Sequence, residues 1–194
     1  MLIKGTVRRG QYARCCCPQD GIHRATRSGL IKHPKVSLLD GEPLYHGNEG
    51  FYWSGVKVYY SFRFNAALDR GAVVDIKNNM DGYGELCVKT NRVVTVTLDL
   101  VAPTGKGVAR KVFGIEVEQV QYPQPAWERF CKGNPYDWYA VSHPDHTVDG
   151  FKRFVASAQK VLMPSHAKSA CLGNVAWCTN KSRWIIMDVD RTEQ

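Results

Sequence analysis

The sequence lacks the segments that would place the chain in a membrane or direct it out of the cell. No apolar run approaches the roughly 18 residues that a bilayer-spanning helix requires. The first residues, MLIKGTVRRGQYARCCC, contain no apolar core of the kind found in a secretory signal. We therefore expect a cytoplasmic protein without a membrane partner.

Several catalytic motifs are also missing. Gly105-Lys106 lacks the preceding glycine spacing of a phosphate-binding Walker loop. Gly82 and Gly84 do not open a dinucleotide-binding turn, because no helix is predicted after them. No serine occupies the centre of a nucleophile elbow. The sequence thus predicts a protein that is not an enzyme.

The seven cysteines contain no CxxC pair. Their odd number and the absence of an export signal favour reduced thiols over a disulfide framework. Two groups of thiols could still close a structural zinc site, and its predicted ligands are Cys15, Cys17, Cys171 and Cys178. The alternative is that cysteines such as Cys87, Cys131 and Cys171 are small buried hydrophobic residues.

Positive charge is concentrated at the start of the chain. Of the formal net charge of +8, almost all lies in the first 35 residues, where Asp20 is the one acid. Like charges repel and do not favour folding, so a polyanion partner is the best explanation, and nucleic acid is the commonest. An acidic protein, a lipid surface or simple solubility are the alternatives. The basic residues are Lys4, Arg8, Arg9, Arg14, Arg24, Arg27, Lys32 and Lys35.

The residue pattern predicts an α+β fold with a largely antiparallel sheet and one or two C-terminal helices. Strands are predicted at 2–9, 51–64, 72–77, 85–101, 112–122 and 184–189, and helices at 125–131 and after the N-cap Thr147. In the strand that ends at 101, one face is predicted to hold Val94, Val96, Leu98 and Leu100, and the other Thr95, Thr97 and Asp99. The side chains predicted to be buried in the next strand are Phe113, Ile115 and Val117, and the predicted apolar stripe of the helix after Thr147 is Phe151, Phe154, Val155, Ala158, Val161 and Leu162. Glycines and prolines mark residues 10–50 as irregular. We accordingly divide the chain into a basic N-terminal region, 1–50, and an α+β core domain, 51–194.

In the segment FYWSGVKVYYSFRF, residues 51–64, a set of mostly apolar side chains alternates with a set that mixes aromatic rings and positive charge. Read as one continuous strand, it places Tyr52, Val56, Val58, Tyr60, Phe62 and Phe64 in the core. The other face would carry Phe51 together with the predicted contact residues Trp53, Lys57, Tyr59 and Arg63, whose rings could stack on bases and whose cations could hold phosphates. The alternative is that this second face is core or is covered by the helix after Thr147.

Two short motifs suggest metal chemistry. His143, Asp145 and His146 have a spacing that can bind metal or transfer protons. The segment WIIMDVDR, residues 184–191, resembles the first metal-binding motif of archaeo-eukaryotic primases and plasmid replication proteins, where paired carboxylates hold divalent ions. Those families have further His and Asp motifs downstream, whereas this chain ends four residues after Asp190, so the resemblance assigns no catalytic role to Asp188 or Asp190.

The sequence therefore predicts a non-catalytic nucleic-acid-binding accessory subunit of a larger nucleoprotein complex, of a phage, plasmid or CRISPR type. Phosphates would be held by the basic N-terminal region and by the loop cations Lys106, Arg110 and Lys111, and bases by the aromatic strand face. A structural virion or assembly protein and a small metal-dependent nuclease are the alternatives. The sequence leaves open whether DNA or RNA is bound.

Overall fold

A computed structural model of the chain describes residues 1–8, 12–14, 30–32, 35–38, 43–44, 50–61, 66–101, 107–118, 143–170 and 174–189. These residues form an α+β fold, as the sequence predicts. Its strands are β1 (Leu2–Arg8), β2 (Tyr12–Arg14), β3 (Leu30–Lys32), β4 (Lys35–Leu38), β5 (Pro43–Leu44), β6 (Phe51–Trp53), β7 (Val56–Val58), β8 (Tyr60–Ser61), β9 (Ala66–Ala67), β10 (Thr90–Val101), β11 (Gly107–Val117), β12 (Val175–Cys178) and β13 (Arg183–Ile186). The two α-helices of the described residues are α1 (Arg70–Gly82) and α2 (Val148–Val161).

The described residues divide into two compact units. The first comprises those within 1–74 and 91–117, and the second comprises those within 75–90 and 118–189. Most of the predicted irregular region, residues 10–50, lies outside the described residues, and the described positions within it form β2 to β5. The division of the chain at residue 50 stays a prediction.

The first unit is built on a mixed sheet with the strand order β5-β4-β1-β10-β11-β7-β6. β1 runs parallel to β10, and its register places Ile3 beside Leu98 and Lys4 beside Asp99. The pairs β1–β4, β4–β5, β7–β11 and β6–β7 are antiparallel. The predicted predominance of antiparallel pairing is therefore confirmed, with β1–β10 as a parallel exception.

One face of this sheet carries the core of the first unit. Side chains alternate between faces along a strand, and the buried set on β10 is Val96, Leu98 and Leu100. These pack in one cluster with residues of five other strands, namely Ile3, Phe51, Val56, Val58, Tyr60 and Val112, and with half-buried Trp53 and Val94. The inward positions that the sequence predicts for β10 are thus confirmed.

The prediction of one continuous strand over residues 51–64 is wrong. Ser54 and Gly55 both have positive φ, 48° and 78°, and they form a two-residue turn between β6 and β7. Turns of this kind match the twist of a two-stranded ribbon, and glycine adopts positive φ without strain. The segment is therefore a hairpin in which Trp53 lies opposite Val56.

The strand predicted at residues 72–77 is also wrong, because this segment belongs to α1. The backbone N–H of Ala72 donates to Asp69 Oδ1 at 2.8 Å, so Asp69 caps the start of the helix. Val73, Ile76 and Met80 are buried at spacings of three and four residues, which is the period of one helix face. The strand prediction failed because its window was too short to reach Met80.

β11 ends at Val117 in the described residues, whereas the sequence predicts a strand from 112 to 122. Ile115 and Val117 are buried as predicted, while Phe113 is half-buried. Val112 is buried on the opposite face, within the core cluster. β11 therefore has apolar side chains on both faces. The helix predicted at 125–131 lies outside the described residues.

The second unit contains the β12–β13 hairpin and α2. Thr147 Oγ1 accepts a hydrogen bond from the backbone N–H of Gly150 at 3.0 Å, which confirms the predicted N-cap. The predicted apolar stripe of α2 holds at Phe151, Ala158 and Leu162, but Val161 is exposed, contrary to the prediction. The Phe151 ring packs edge-on against Trp184 of β13, with ring centroids 5.4 Å apart.

Two further contacts anchor the segments around α2. Trp184 Nε1 donates to the carbonyl oxygen of Asp145 at 2.7 Å, just before the helix. Beyond the helix, the Tyr83 hydroxyl accepts the backbone N–H of Met163 at 3.1 Å and bonds to Nδ1 of fully buried His166 at 2.6 Å. Both ends of α2 are thus held by aromatic side chains of the same unit. Neither helix of the described residues is long and apolar enough to cross a membrane.

Gly150 is predicted to be essential for stability. A Cβ added at this position would lie 2.0 Å from the carbonyl oxygen of Asp145, which Trp184 already holds in place. We expect Gly150→Ala to lower the free energy of unfolding by about 1–3 kcal/mol. Gly82→Ala is the matched control, because a Cβ there meets nothing within 4 Å. Equal stability of the two variants in urea denaturation would contradict the prediction.

Candidate nucleic-acid interface

The sheet of the first unit has a second face, opposite the core cluster, which we call the outer face. Because Ile3 and Leu98 point into the core, their neighbours Lys4 and Asp99 belong to the outer face. The same alternation extends to β4 and β11. At the open end of the sheet, the outer-face residues whose side chains are described are Leu2, Lys4, Thr95, Thr97, Asp99, Val101 and Lys111. By backbone register alone, the positions that continue the same alternation are Thr6, Arg8, Lys35 and Ser37.

The outer face is open near β1 and closed near β7. Leu2 and Val101 are 52% and 43% exposed, and Lys4 and Lys111 are exposed as well. Near β7, by contrast, Ile115 is fully buried. A flat ligand could therefore contact the β1 end of the sheet without displacing any described residue.

Basic residues predominate at this open end. Register places Arg8 of β1 directly opposite Lys35 of β4, so two basic residues occupy adjacent backbone positions of the sheet. Lys4 lies on the same face four residues before Arg8, and Lys111 lies on β11. Among the described outer-face positions of these strands, Asp99 is the one acid. The open end therefore presents mostly positive charge.

Several cations elsewhere in the described residues are neutralised by carboxylates. Arg92 Nε lies 2.9 Å from Glu116 Oε2, and its hydrogen bond holds the pKa of Glu116 below the usual range. Lys181 Nζ lies 2.7 Å from Glu118 Oε1. No ion pair of the described residues involves Lys4 or Lys111, so the charges of these two lysines are not neutralised in this way.

The structure separates two of the predicted loop cations. Arg110 and Lys111 are consecutive residues of β11, so they lie on opposite faces of the sheet. Arg110 lies 6.0 Å from the ring centroid of Tyr60, where burial raises the pKa of the tyrosine hydroxyl and Arg110 partly offsets that rise. Lys111 alone joins the outer face. The backbones of Arg14 and Lys32 lie in β2 and β3. The predicted contact residues Arg9, Arg24, Arg27, Arg63 and Lys106 lie outside the described residues.

The predicted aromatic face does not form as one surface. In the β6–β7 hairpin, Trp53 lies opposite Val56 and therefore packs towards the core. Lys57 lies opposite Ile115 on the other side of the sheet. Tyr59 is 1% exposed. Because the turn reverses the chain, Trp53 and Lys57 occupy opposite faces, and a role for these residues in base stacking stays a prediction.

The first metal prediction is a structural zinc held by four cysteines. Cys178 is a buried free thiol on β12, while the other predicted zinc ligands, Cys15, Cys17 and Cys171, lie outside the described residues. Within the described residues no group of three or more His, Cys, Asp or Glu side chains is arranged to hold a metal ion. A structural zinc stays a prediction.

The His143–His146 segment forms the turn that leads into α2. His143 Nδ1 accepts the backbone N–H of Asp145 at 3.2 Å, and the Asp145 carboxylate pairs with Arg153 at 3.1 Å. His146 is 2% exposed, with its ring centroid 4.7 Å from that of Trp177. These residues thus make contacts within the turn, with Arg153 and with Trp177, and a role in metal binding or proton transfer stays a prediction. Of the C-terminal acids, Asp188 is buried and Asp190 lies outside the described residues.

The comparisons with known proteins give no further direction. No protein-family model, no curated protein and no solved structure matches the chain. The candidate interface therefore depends on charge, register and exposure alone.

Trp53 is predicted to act in the core. Because its ring packs against the cluster of the first unit, Trp53→Ala should lower the free energy of unfolding by about 2 kcal/mol, and Trp53→Phe should lower it less. Chemical denaturation followed by circular dichroism measures both. An alanine variant as stable as the parent chain would return Trp53 to the candidate surface residues.

Two thiols are predicted to be unreactive in the folded chain. Burial, with the nearby carboxylates of Asp188 and Asp81, raises the pKa of Cys87 to about 12, and Cys178 is also buried. Since the thiolate is the reactive form, iodoacetamide at pH 8 should leave both unmodified until denaturant is added. Peptide mass spectrometry reports each site separately. Rapid labelling of Cys87 in the native protein would contradict its burial.

Proposed function

We propose that this chain is a non-catalytic nucleic-acid-binding accessory subunit of a larger nucleoprotein complex. In this proposal the open end of the outer face and the basic N-terminal region hold the phosphate backbone. The observation that carries the proposal is the register of β1 and β4, which puts Arg8 opposite Lys35.

Like charges at directly opposite positions of an antiparallel pair destabilise a sheet. Their Cβ atoms are only about 4.5–5.5 Å apart, and the effect is on the order of 0.2–1 kcal/mol. A phosphate oxygen between two such cations converts the repulsion into two charge-assisted hydrogen bonds. The pair is therefore unfavourable in the free chain and favourable against a polyanion.

Lys4 and Lys111 extend this positive surface. Both are exposed, and neither belongs to an ion pair of the described residues. Whereas Arg8 lies opposite another cation, Lys4 has Asp99 as its register neighbour, so like-charge repulsion is weaker at Lys4 than at Arg8. The Arg8–Lys35 pair is consequently the better position for a phosphate.

The proposal is tested by neutralising that pair. Each phosphate contact contributes roughly 0.7–0.9 to the slope of log affinity against log salt, so Arg8→Ala with Lys35→Ala should lower the slope by about 1.5. The control is Lys152→Ala with Lys160→Ala, which removes the same charge from exposed positions of α2. Fluorescence anisotropy with labelled RNA and DNA across a salt series measures both variants.

The stability of the same variant separates binding from folding. Removing the repulsion should leave the unfolding free energy unchanged or raise it by up to about 1 kcal/mol. Weaker binding without loss of stability is the expected result. An unchanged slope, or an equal decrease in the control, would remove the Arg8–Lys35 pair from the interface.

A further inference from the structure

One carboxylate interrupts the basic surface of the outer face. Asp99 lies on β10, beside Lys4 in the parallel register with β1. Its side chain is partly exposed, between the half-buried Thr97 and the exposed Val101 on the same face. No ion pair of the described residues joins Asp99 to Lys4, so the carboxylate is not held in a salt bridge by its neighbour.

An acid at this position opposes the binding of phosphate. It repels the backbone through space, and its partly buried setting strengthens that repulsion relative to bulk water. The same carboxylate becomes favourable if the ligand presents a hydrogen-bond donor to it, because hydrogen bonds to ionised acceptors are the stronger class. Such a donor must lie close to the phosphates of the nucleic acid, because the cations beside Asp99 would hold those phosphates.

The position of Asp99 next to β1 limits which donor of a nucleic acid can reach its carboxylate. It lies on the strand next to β1, about 4.8 Å away, and β1 carries Lys4 and Arg8. A group that reaches Asp99 while these residues hold phosphate must be attached close to the backbone. In RNA that donor is the ribose 2′-hydroxyl, which DNA lacks. The amino groups of the bases lie further from the phosphates.

We infer that Asp99 accepts a hydrogen bond from a ribose 2′-hydroxyl, so that the outer face binds RNA in preference to DNA. This inference rests on the proposed function. The cations supply affinity for either backbone, and Asp99 supplies the discrimination, since it favours RNA and repels DNA. Asp99 is thus a specificity-determining residue of the proposed interface.

The test uses oligouridine and oligodeoxyuridine of equal length, which differ only at the 2′ position. The parent chain should bind the ribonucleotide more tightly. Asp99→Ala should reduce the ratio of the two affinities by about tenfold, because RNA loses a charge-assisted bond while DNA loses a repulsion. Asp149→Ala, which removes an exposed acid from α2, is the control and should leave the ratio unchanged.

The outcomes distinguish the inference from the function on which it rests. Equal affinities in the parent chain, or a proportional increase of both in Asp99→Ala, would overturn the role of Asp99 and leave nucleic-acid binding intact. Oligocytidine is tested as a third ligand. If the parent chain prefers it to oligouridine, and Asp99→Ala loses that preference with the ribose ratio unchanged, the carboxylate contacts a base amino group and the inference is overturned. Failure of the parent chain to bind either oligonucleotide would refute the proposed function itself.

Discussion

The parallel pairing of β1 with β10 is the constraint on which both faces of the first unit depend. In this register Ile3 is 1% exposed, whereas the adjacent Lys4 lies on the outer face. A shift by one residue would bury Lys4 and expose Ile3, since successive side chains point to opposite faces. Burying an unpaired ammonium is far more costly than exposing one isoleucine, so the charges help to fix the register that forms the core. Core and outer face are therefore two consequences of one alignment.

The register of β1 with β4 places local electrostatics in conflict with stability. Elsewhere in the described residues carboxylates lie beside cations, as Glu116 does beside Arg92 and Glu118 beside Lys181. On the outer face the register neighbour of Arg8 is Lys35. A sheet selected for stability alone gains nothing from such a pair. Positions where a sequence departs from a local rule of this kind are where functional surfaces are expected.

The sequence predicted those elements whose signals are local. The alternation of β10 and the cap at Thr147 each lie within a few residues, and both are found in the structure. The hairpin at Ser54-Gly55 was missed because unbroken alternation outweighed a two-residue turn signal. That error also misplaced the aromatic face. Residues directly opposite in a hairpin share a face, so Trp53 joins Val56, whereas a continuous strand would place them apart.

The candidate site was less predictable than the fold, for a related reason. Composition identified the basic residues, but the pairing of Arg8 with Lys35 depends on a long-range register that no local pattern encodes. The parallel β1–β10 pair likewise brings together residues more than 90 positions apart. The alternation of β10 alone predicts only that Asp99 is an outward polar residue. The neighbouring strand β1 places Lys4 beside it, which the local pattern does not show.

Because Trp53 packs against the core and not on a ligand-binding face, the kind of recognition that the outer face can support also differs from the one predicted from the sequence. Phosphate contacts orient a nucleic acid, whereas contacts to bases confer sequence specificity. The cations act over a Debye length of about 8–10 Å at physiological salt, so their contribution weakens as ionic strength rises. A hydrogen bond to Asp99 would act at contact distance and would be screened far less. In the proposed interface, affinity and RNA discrimination would therefore respond to salt separately, because the first would come from a distributed charge and the second from a single carboxylate.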